Sequence, residues 1–323
     1  MSIREYYFKY IAGHIPAGIH GTFHRMSIAR SNIRRAALRN AILAYYDAVP
    51  PQDLTMEQEE VLSYLRSNRF SLVPYDWCSK YMTMPVRVYK DRSKKLNYAV
   101  LDDKKIYFRR YTDQGIVRRA VRELSCEQDP RSPHRYVTDE NRILGTIPAE
   151  KRRRGHFVCP GDTVADVGAA DGIFSLSIAD TASHIYLFEC DPDWIPALEE
   201  TFRDYNSKVT LVQKFVSDEE DENSVTLDGF FKGKRDISFL KADIEGAEPK
   251  MLRGAQELLR EKRIHRASVC VYHDMSHPTD FERKFQEAGY SVRFTDGLML
   301  NRSKPFMLKG VLLADRKDIA DAP

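Results

Sequence analysis

The stretch VADVGAADG, residues 164–172, decides how this chain is read. Val164, Ala165 and Val167 make an apolar run that holds a single acid, Asp166. Such a run predicts a strand buried on both faces. It ends at Gly168, a turn of small residues follows, and a helix is expected from about Gly172. A small-residue turn lets a ligand approach the backbone and offers free N–H groups at a helix start. A second signal lies 23 residues after Asp166, where Glu189 closes the next expected strand in IYLFECD. A carboxylate there can accept both hydrogen bonds of a ribose diol.

The glycine spacing does not suit a dinucleotide. A GxGxxG frame starting at Gly168 places Ala170 and Ile173 where glycines are needed, and Ile173 would obstruct close helix–strand packing. An acid ahead of the loop, with glycines at 168 and 172, is instead the spacing of S-adenosylmethionine binders. That ligand has no pyrophosphate and needs no tight cradle. The cofactor-binding residues expected are Asp166, Gly168, Ala169, Asp171, Gly172, Glu189 and Cys190. Ser217 and Asp218, closing the third strand, and Asp243, closing the fourth, complete the set. A structural turn without a ligand is the alternative.

Outward from this loop, apolar runs alternate with amphipathic stretches. Strands are expected at 163–168, 184–190, 209–217, 237–245, 267–273, 290–295 and 306–315, with helices at 193–206, 249–259 and 279–288. This alternation predicts an α/β fold with a doubly wound, mostly parallel seven-stranded sheet. The link from Thr295 to Phe306 is too short for a crossover, so the last strand is expected to be antiparallel. Upstream, 31–47 reads as a basic helix, and Thr55 with Gln58 forms a capping box opening a helix to about Asn68. Short strands are expected at 86–90, 98–101 and 106–109, the last two joined at Asp102-Asp103. The domains expected are an N-terminal α+β extension (1–125), a linker and pocket-covering loop (126–160), the cofactor-binding domain (161–317) and a tail (318–323).

The chain has 323 residues and five cysteines, Cys78, Cys126, Cys159, Cys190 and Cys270, with no CxxC pair. The spacing argues against a disulfide framework and a zinc motif, and for reduced cysteines in a cytoplasmic protein. No apolar run approaches bilayer length and no secretory h-region is seen. The net charge of +3 hides a split. Residues 1–160 hold 29 Lys and Arg against 17 Asp and Glu, and residues 161–323 hold 21 against 30. Either one half faces an anion, or the surface charge simply drifts.

The segment LKADIEGAEPKMLRGAQELL, residues 240–259, adds three carboxylates, Asp243, Glu245 and Glu248, at a strand end and helix start. Carboxyl ends of strands line the ligand crevice in this architecture. Glu248 either contacts substrate or caps the following helix. His273, ending the next strand in VCVYHD, is a second candidate proton acceptor beside Asp243. The segment resembles the hallmark of the FkbM family of S-adenosylmethionine-dependent methyltransferases, matching at Lys241, Asp243, Glu245, Gly246, Ala247, Glu248, Gly254 and Ala255. Phe188-Glu189 and Thr226–Phe230 match further family elements. Asp171 departs from the asparagine common there and adds a carboxylate near the cofactor.

The resemblance implies a class I methyltransferase fold and O-methylation of a hydroxyl on a sugar, glycan intermediate or secondary metabolite. Asp243, His273 and Glu245 are the expected catalytic residues. No metal is expected, although Asp243 and Glu245 offer hard oxygen ligands. Arg131, His134 and Arg135 from the 126–136 loop, with Glu248, are the expected substrate contacts. The arginines would favour an anionic acceptor, unless they only fasten the two halves together. The run Lys151–Arg154 is either solvated or a phosphate contact. The competing class is an RNA-binding or RNA-modifying protein that uses the basic half and its aromatics Tyr6, Tyr7, Phe8, Tyr45 and Tyr46. No DNA partner is expected, and a homo-oligomer is compatible with the sequence.

Overall fold

A computed structural model of the chain describes residues 17–110, 112–137 and 155–320. The chain divides into two compact units, Met1–Ser71 with Ser303–Phe306, and Leu72–Arg302 with Met307–Pro323. Tyr6, Tyr7, Phe8 and the Lys151–Arg154 run lie outside the described residues.

In the first unit, helix α1 (Ala17–Asp47) meets α2 (Met56–Ser67). The expected capping box is formed: Thr55 Oγ1 accepts from Gln58 N–H at 3.2 Å, and Gln58 Oε1 accepts from Thr55 N–H at 2.9 Å. Ile42 and Tyr46 of α1 and Val61, Leu62 and Leu65 of α2 are buried. Arg39 of α1 donates to the carbonyls of Leu65 and Asn68, at the end of α2.

The second unit opens with the antiparallel strands β1 (Val88–Asp91), β2 (Leu96–Leu101) and β3 (Lys104–Phe108). Asp102 and Asp103 join β2 to β3 at φ +46° and +63°, as a two-residue hairpin turn with the right twist requires. Helix α3 (Gln114–Glu127) follows, with the Asp113 carboxylate capping Ile116 N–H.

The main sheet holds β4 (Thr163–Val167), β5 (His184–Phe188), β6 (Val209–Val212), β7 (Ile237–Ala242), β8 (Ile264–Cys270), β9 (Tyr290–Phe294) and β10 (Val311–Arg316). Their order is β9-β10-β8-β7-β4-β5-β6, with β10 antiparallel to both neighbours. The fold is thus the expected α/β class, with an antiparallel last strand inserted beside the edge. Every residue of β4 is buried, as its unbroken apolar pattern requires.

Several expected elements are shorter than their patterns. The strand expected over 209–217 stops at Val212, and Phe215–Val216 pairs instead with Ser224–Val225. The last strand begins at Val311 rather than 306, because Met307–Leu308 pairs with Met299–Leu300. The helix expected over 249–259 breaks into α4 (Glu248–Arg253) and a second turn, Gln256–Arg260. Gly254 lies at the break, where a Cβ would stand 2.0 Å from the Ser217 carbonyl oxygen.

The core spans the boundary expected after 125. Ile106 and Phe108 of β3 and Val117 and Val121 of α3 pack with Val164, Ile185 and Phe239 of the main sheet. Residues 72–125 therefore complete one face of the sheet, and the compact unit starts at Leu72. Amphipathic strands show that they need a covering layer but not which layer covers them. The sheet order reverses between β4 and β7, which places the ligand crevice at the carboxyl ends of these strands.

Candidate active site

A cavity of about 1130 Å³ opens at those strand ends. Its first wall is the turn after β4. Gly168 adopts φ +78°, and a Cβ there would stand 2.0 Å from the Asp243 carbonyl oxygen, so only glycine fits. Gly168 and Ala169 N–H both donate to the Phe188 carbonyl, which fastens the turn to β5. Glu189 continues β5 into the cavity wall and accepts from Ala170 N–H and Asp191 N–H, each at 2.8 Å. Burial raises its pKa above the ordinary range. Asp171, also in the wall, accepts from Ile173 N–H, and burial pushes its carboxyl up to about 7.

Beneath the turn, Asp166 is wholly buried. Lys241 Nζ lies 3.0 Å from its Oδ1, and Ser175 Oγ donates to its Oδ2. Lys241 also donates to the Gly168 carbonyl at 2.6 Å. Asp166 was expected to touch the cofactor. Its oxygens instead point inward, and it does not line the cavity.

Asp243 forms the floor, and four donors surround it. Tyr136 Oη donates to Oδ2 at 2.9 Å, and His134 Nε2 lies 3.3 Å from the same oxygen. Tyr272 Oη donates to Oδ1 at 3.4 Å, and His273 Nε2 lies 3.5 Å from it. Each imidazole is backed by a second carboxylate. Glu127 Oε2 is 3.4 Å from His134 Nδ1, and Glu248 Oε1 is 3.0 Å from His273 Nδ1. Burial opposes charge on Asp243, yet His134, Lys241 and His273 hold its pKa well below the carboxylate range. Burial likewise opposes charge on both histidines, and their carboxylates still raise them. Glu245 stands at the rim, more exposed, with its Oε1 accepting from Arg302.

The structure brings together Gly168, Ala169, Asp171, Glu189, Cys190, His134, Arg135, Asp243 and Glu245 as lining residues. Others sit elsewhere. Gly172 packs against Leu198 and Phe202, and Asp218 pairs with Arg253 and accepts from Ser217 Oγ, all outside the lining. Glu248 is wholly buried and accepts from Ile244 N–H, so it cannot reach a substrate. His273 lies behind Asp243. His134 is buried with its nitrogens facing carboxylates, which leaves nothing for an anion. The Arg131 fork grips Asp129 and lies over Trp77, and Arg135 pairs with Asp296. Glu127, Tyr136, Tyr272 and Arg302 were missed. Tyr136 ended a loop already singled out, but no spacing ties it to Asp243.

Residues 195–292 match the methyltransferase FkbM domain. Over these residues the chain is similar to that methyltransferase domain. Among solved structures, it is similar to an rRNA methylase from Streptococcus thermophilus, with 13% identity, 49% of this chain and 89% of the other covered, and a TM-score of 0.36. It is also similar to a precorrin-6y C5,15-methyltransferase from Geobacter metallireducens, with 11% identity, 55% and 87% covered and a TM-score of 0.34. A third is a tRNA (m1A22) methyltransferase described as putative, from Streptococcus pneumoniae, in complex with S-adenosyl-L-methionine. There the identity is 12%, the coverage 54% and 78%, and the TM-score 0.35. No curated protein matches the chain.

The methyltransferase match supports S-adenosylmethionine as the cofactor, and the residues present fit it. Glu189 retains lone pairs for a ribose diol, Gly168–Ala170 carry no side chain larger than a methyl, and Asp171 offers a carboxylate to a cation. No helix of the described residues is long and apolar enough to cross a membrane.

Proposed function

We propose that this FkbM methyltransferase methylates a hydroxyl on a sugar, a glycan intermediate or a secondary metabolite. The observation that supports this reading is the floor of the cavity. There Asp243 and Glu245 line the cavity, and the buried His273–Glu248 pair stands behind them at the ends of β7 and β8. When bound, the cofactor supplies an electrophilic methyl on sulfur. The chain must align an acceptor oxygen with it and accept the proton that the oxygen loses.

Asp243 is surrounded by side-chain donors, so its role is to keep His273 oriented. Glu245, at the rim with one oxygen 3.8 Å from His273 Nε2, is the better-placed proton acceptor. The anionic acceptor expected from Arg131 and Arg135 is not part of this reading, because carboxylates already occupy both guanidinium groups. Mass spectrometry of metabolites and glycans from cells with and without the gene tests the proposal. A hydroxyl-bearing species should lose the mass of one CH₂ when the gene is absent. A loss confined to nucleic acid would overturn the reading.

A further inference from the structure

One nitrogen in the cavity floor has too many partners. His134 Nε2 lies 3.3 Å from Asp243 Oδ2, 3.3 Å from Tyr136 Oη and 3.6 Å from Cys270 Sγ. An imidazole nitrogen carries either one proton or one lone pair, and it cannot satisfy three groups. A cation at their centre can. We propose that His134 Nε2, Asp243 Oδ2 and Cys270 Sγ bind a zinc ion, with the fourth position facing Tyr136 and the cavity.

The separations suit zinc. Tetrahedral Zn²⁺ with bonds of about 2.0–2.1 Å to N and O and about 2.3 Å to S sets its ligand atoms about 3.3 Å (N to O) and about 3.6 Å (N to S) apart. The three donor atoms lie within 4.8 Å of one another. A mixed nitrogen, oxygen and sulfur set matches a borderline-soft ion rather than Mg²⁺ or Ca²⁺.

The surroundings add a second, independent sign. His134 is 6% exposed, and its Nδ1 is buried without a well-formed hydrogen bond among the described residues. Glu127 Oε2 is the group beside that nitrogen, at 3.4 Å. A carboxylate behind a histidine fixes the tautomer that leaves Nε2 free to bind metal. Cys270 is wholly buried and pairs with no other cysteine. Binding breaks its S–H bond, forms the S–Zn bond and releases one proton to solvent, with no change of oxidation state. Asp243 Oδ1 still faces His273, so the ion does not displace that pair. The chain has no short zinc motif, since these ligands come from a loop, a strand end and the last residue of β8.

Cobalt titration of the chelator-stripped full chain is the test, with Co²⁺ as the probe. One equivalent should bind with thiolate-to-cobalt charge-transfer absorption and the intense d–d bands of a tetrahedral site, and Zn²⁺ should displace it. Cys270→Ser should abolish the charge-transfer band, His134→Gln should weaken binding at least about tenfold, and Cys159→Ser should change neither. Calorimetry with S-adenosylmethionine reports separately whether each variant is folded and whether the methyltransferase reading holds. Should either ligand variant lose that binding, Glu127→Gln takes its place, with an expected weakening of about tenfold. Absence of stoichiometric binding, an octahedral spectrum, or a charge-transfer band that survives Cys270→Ser would overturn the proposal.

Discussion

Lys241 Nζ stands 3.0 Å from Asp166 Oδ1, with both side chains buried, and ties β7 to β4 under the cofactor turn. The same ammonium donates to the Gly168 carbonyl, so one ion pair holds both strands and the turn between cofactor and core. Removing one member leaves a charge buried without compensation, which costs about 3–5 kcal/mol. Lys241→Met should therefore lower the unfolding free energy from denaturant titration by that much at neutral pH. A loss under about 1 kcal/mol would show that the pair does not hold the site.

Glu189 already accepts two backbone N–H groups and has lone pairs left for the ribose. Glu189→Ala should weaken S-adenosylmethionine by about 1.5–3 kcal/mol, about 10- to 150-fold in Kd by calorimetry. NAD(H) should leave the melting temperature of the unaltered chain unchanged. Equal cofactor affinity in the variant would remove Glu189 from the site.

Asp315 sets an acid limit on stability. Burial raises its pKa, but His156 at 2.8 Å and Arg293 at 2.6 Å outweigh it and lower the folded value to about 2. The folded value lies below the unfolded one, so the stabilisation is full above about pH 4 and is lost as pH falls toward 2. Its size is about 2 kcal/mol. Denaturant midpoints at pH 7, 4 and 2.5 should show the loss, and Asp315→Asn should remove this part of the pH dependence.

Arg135 decides whether the loop before the domain recognises charge. Its partner Asp296 is 92% exposed, and such a pair contributes about 1 kcal/mol or less. Arg135→Ala should leave cofactor affinity unchanged and melting temperature nearly so. Once the acceptor is known, its KM should be unaltered. A several-fold rise in KM would restore the anionic acceptor.

What the sequence determined by itself is local. Val164–Val167 is apolar on both faces and so reads as a central strand. Gly168 and Glu189 sit at strand ends, where the order of a doubly wound sheet puts ligands. Residues 240–259 name a family through neighbouring residues along one strand and helix. Thr55 and Gln58 cap a helix through a contact three residues long. Each of these rests on a spacing that the chain carries wherever it folds. Which way an acid points does not. Asp166 and Glu189 looked alike as strand-borne carboxylates, and only packing turned one inward to Lys241 and the other to the cavity. His134 looked like a loop cation until the fold brought residues 127, 243 and 270 around it. Contacts between segments more than a hundred residues apart depend on how β3, α3 and the sheet share one core, and no periodicity along the chain records that sharing.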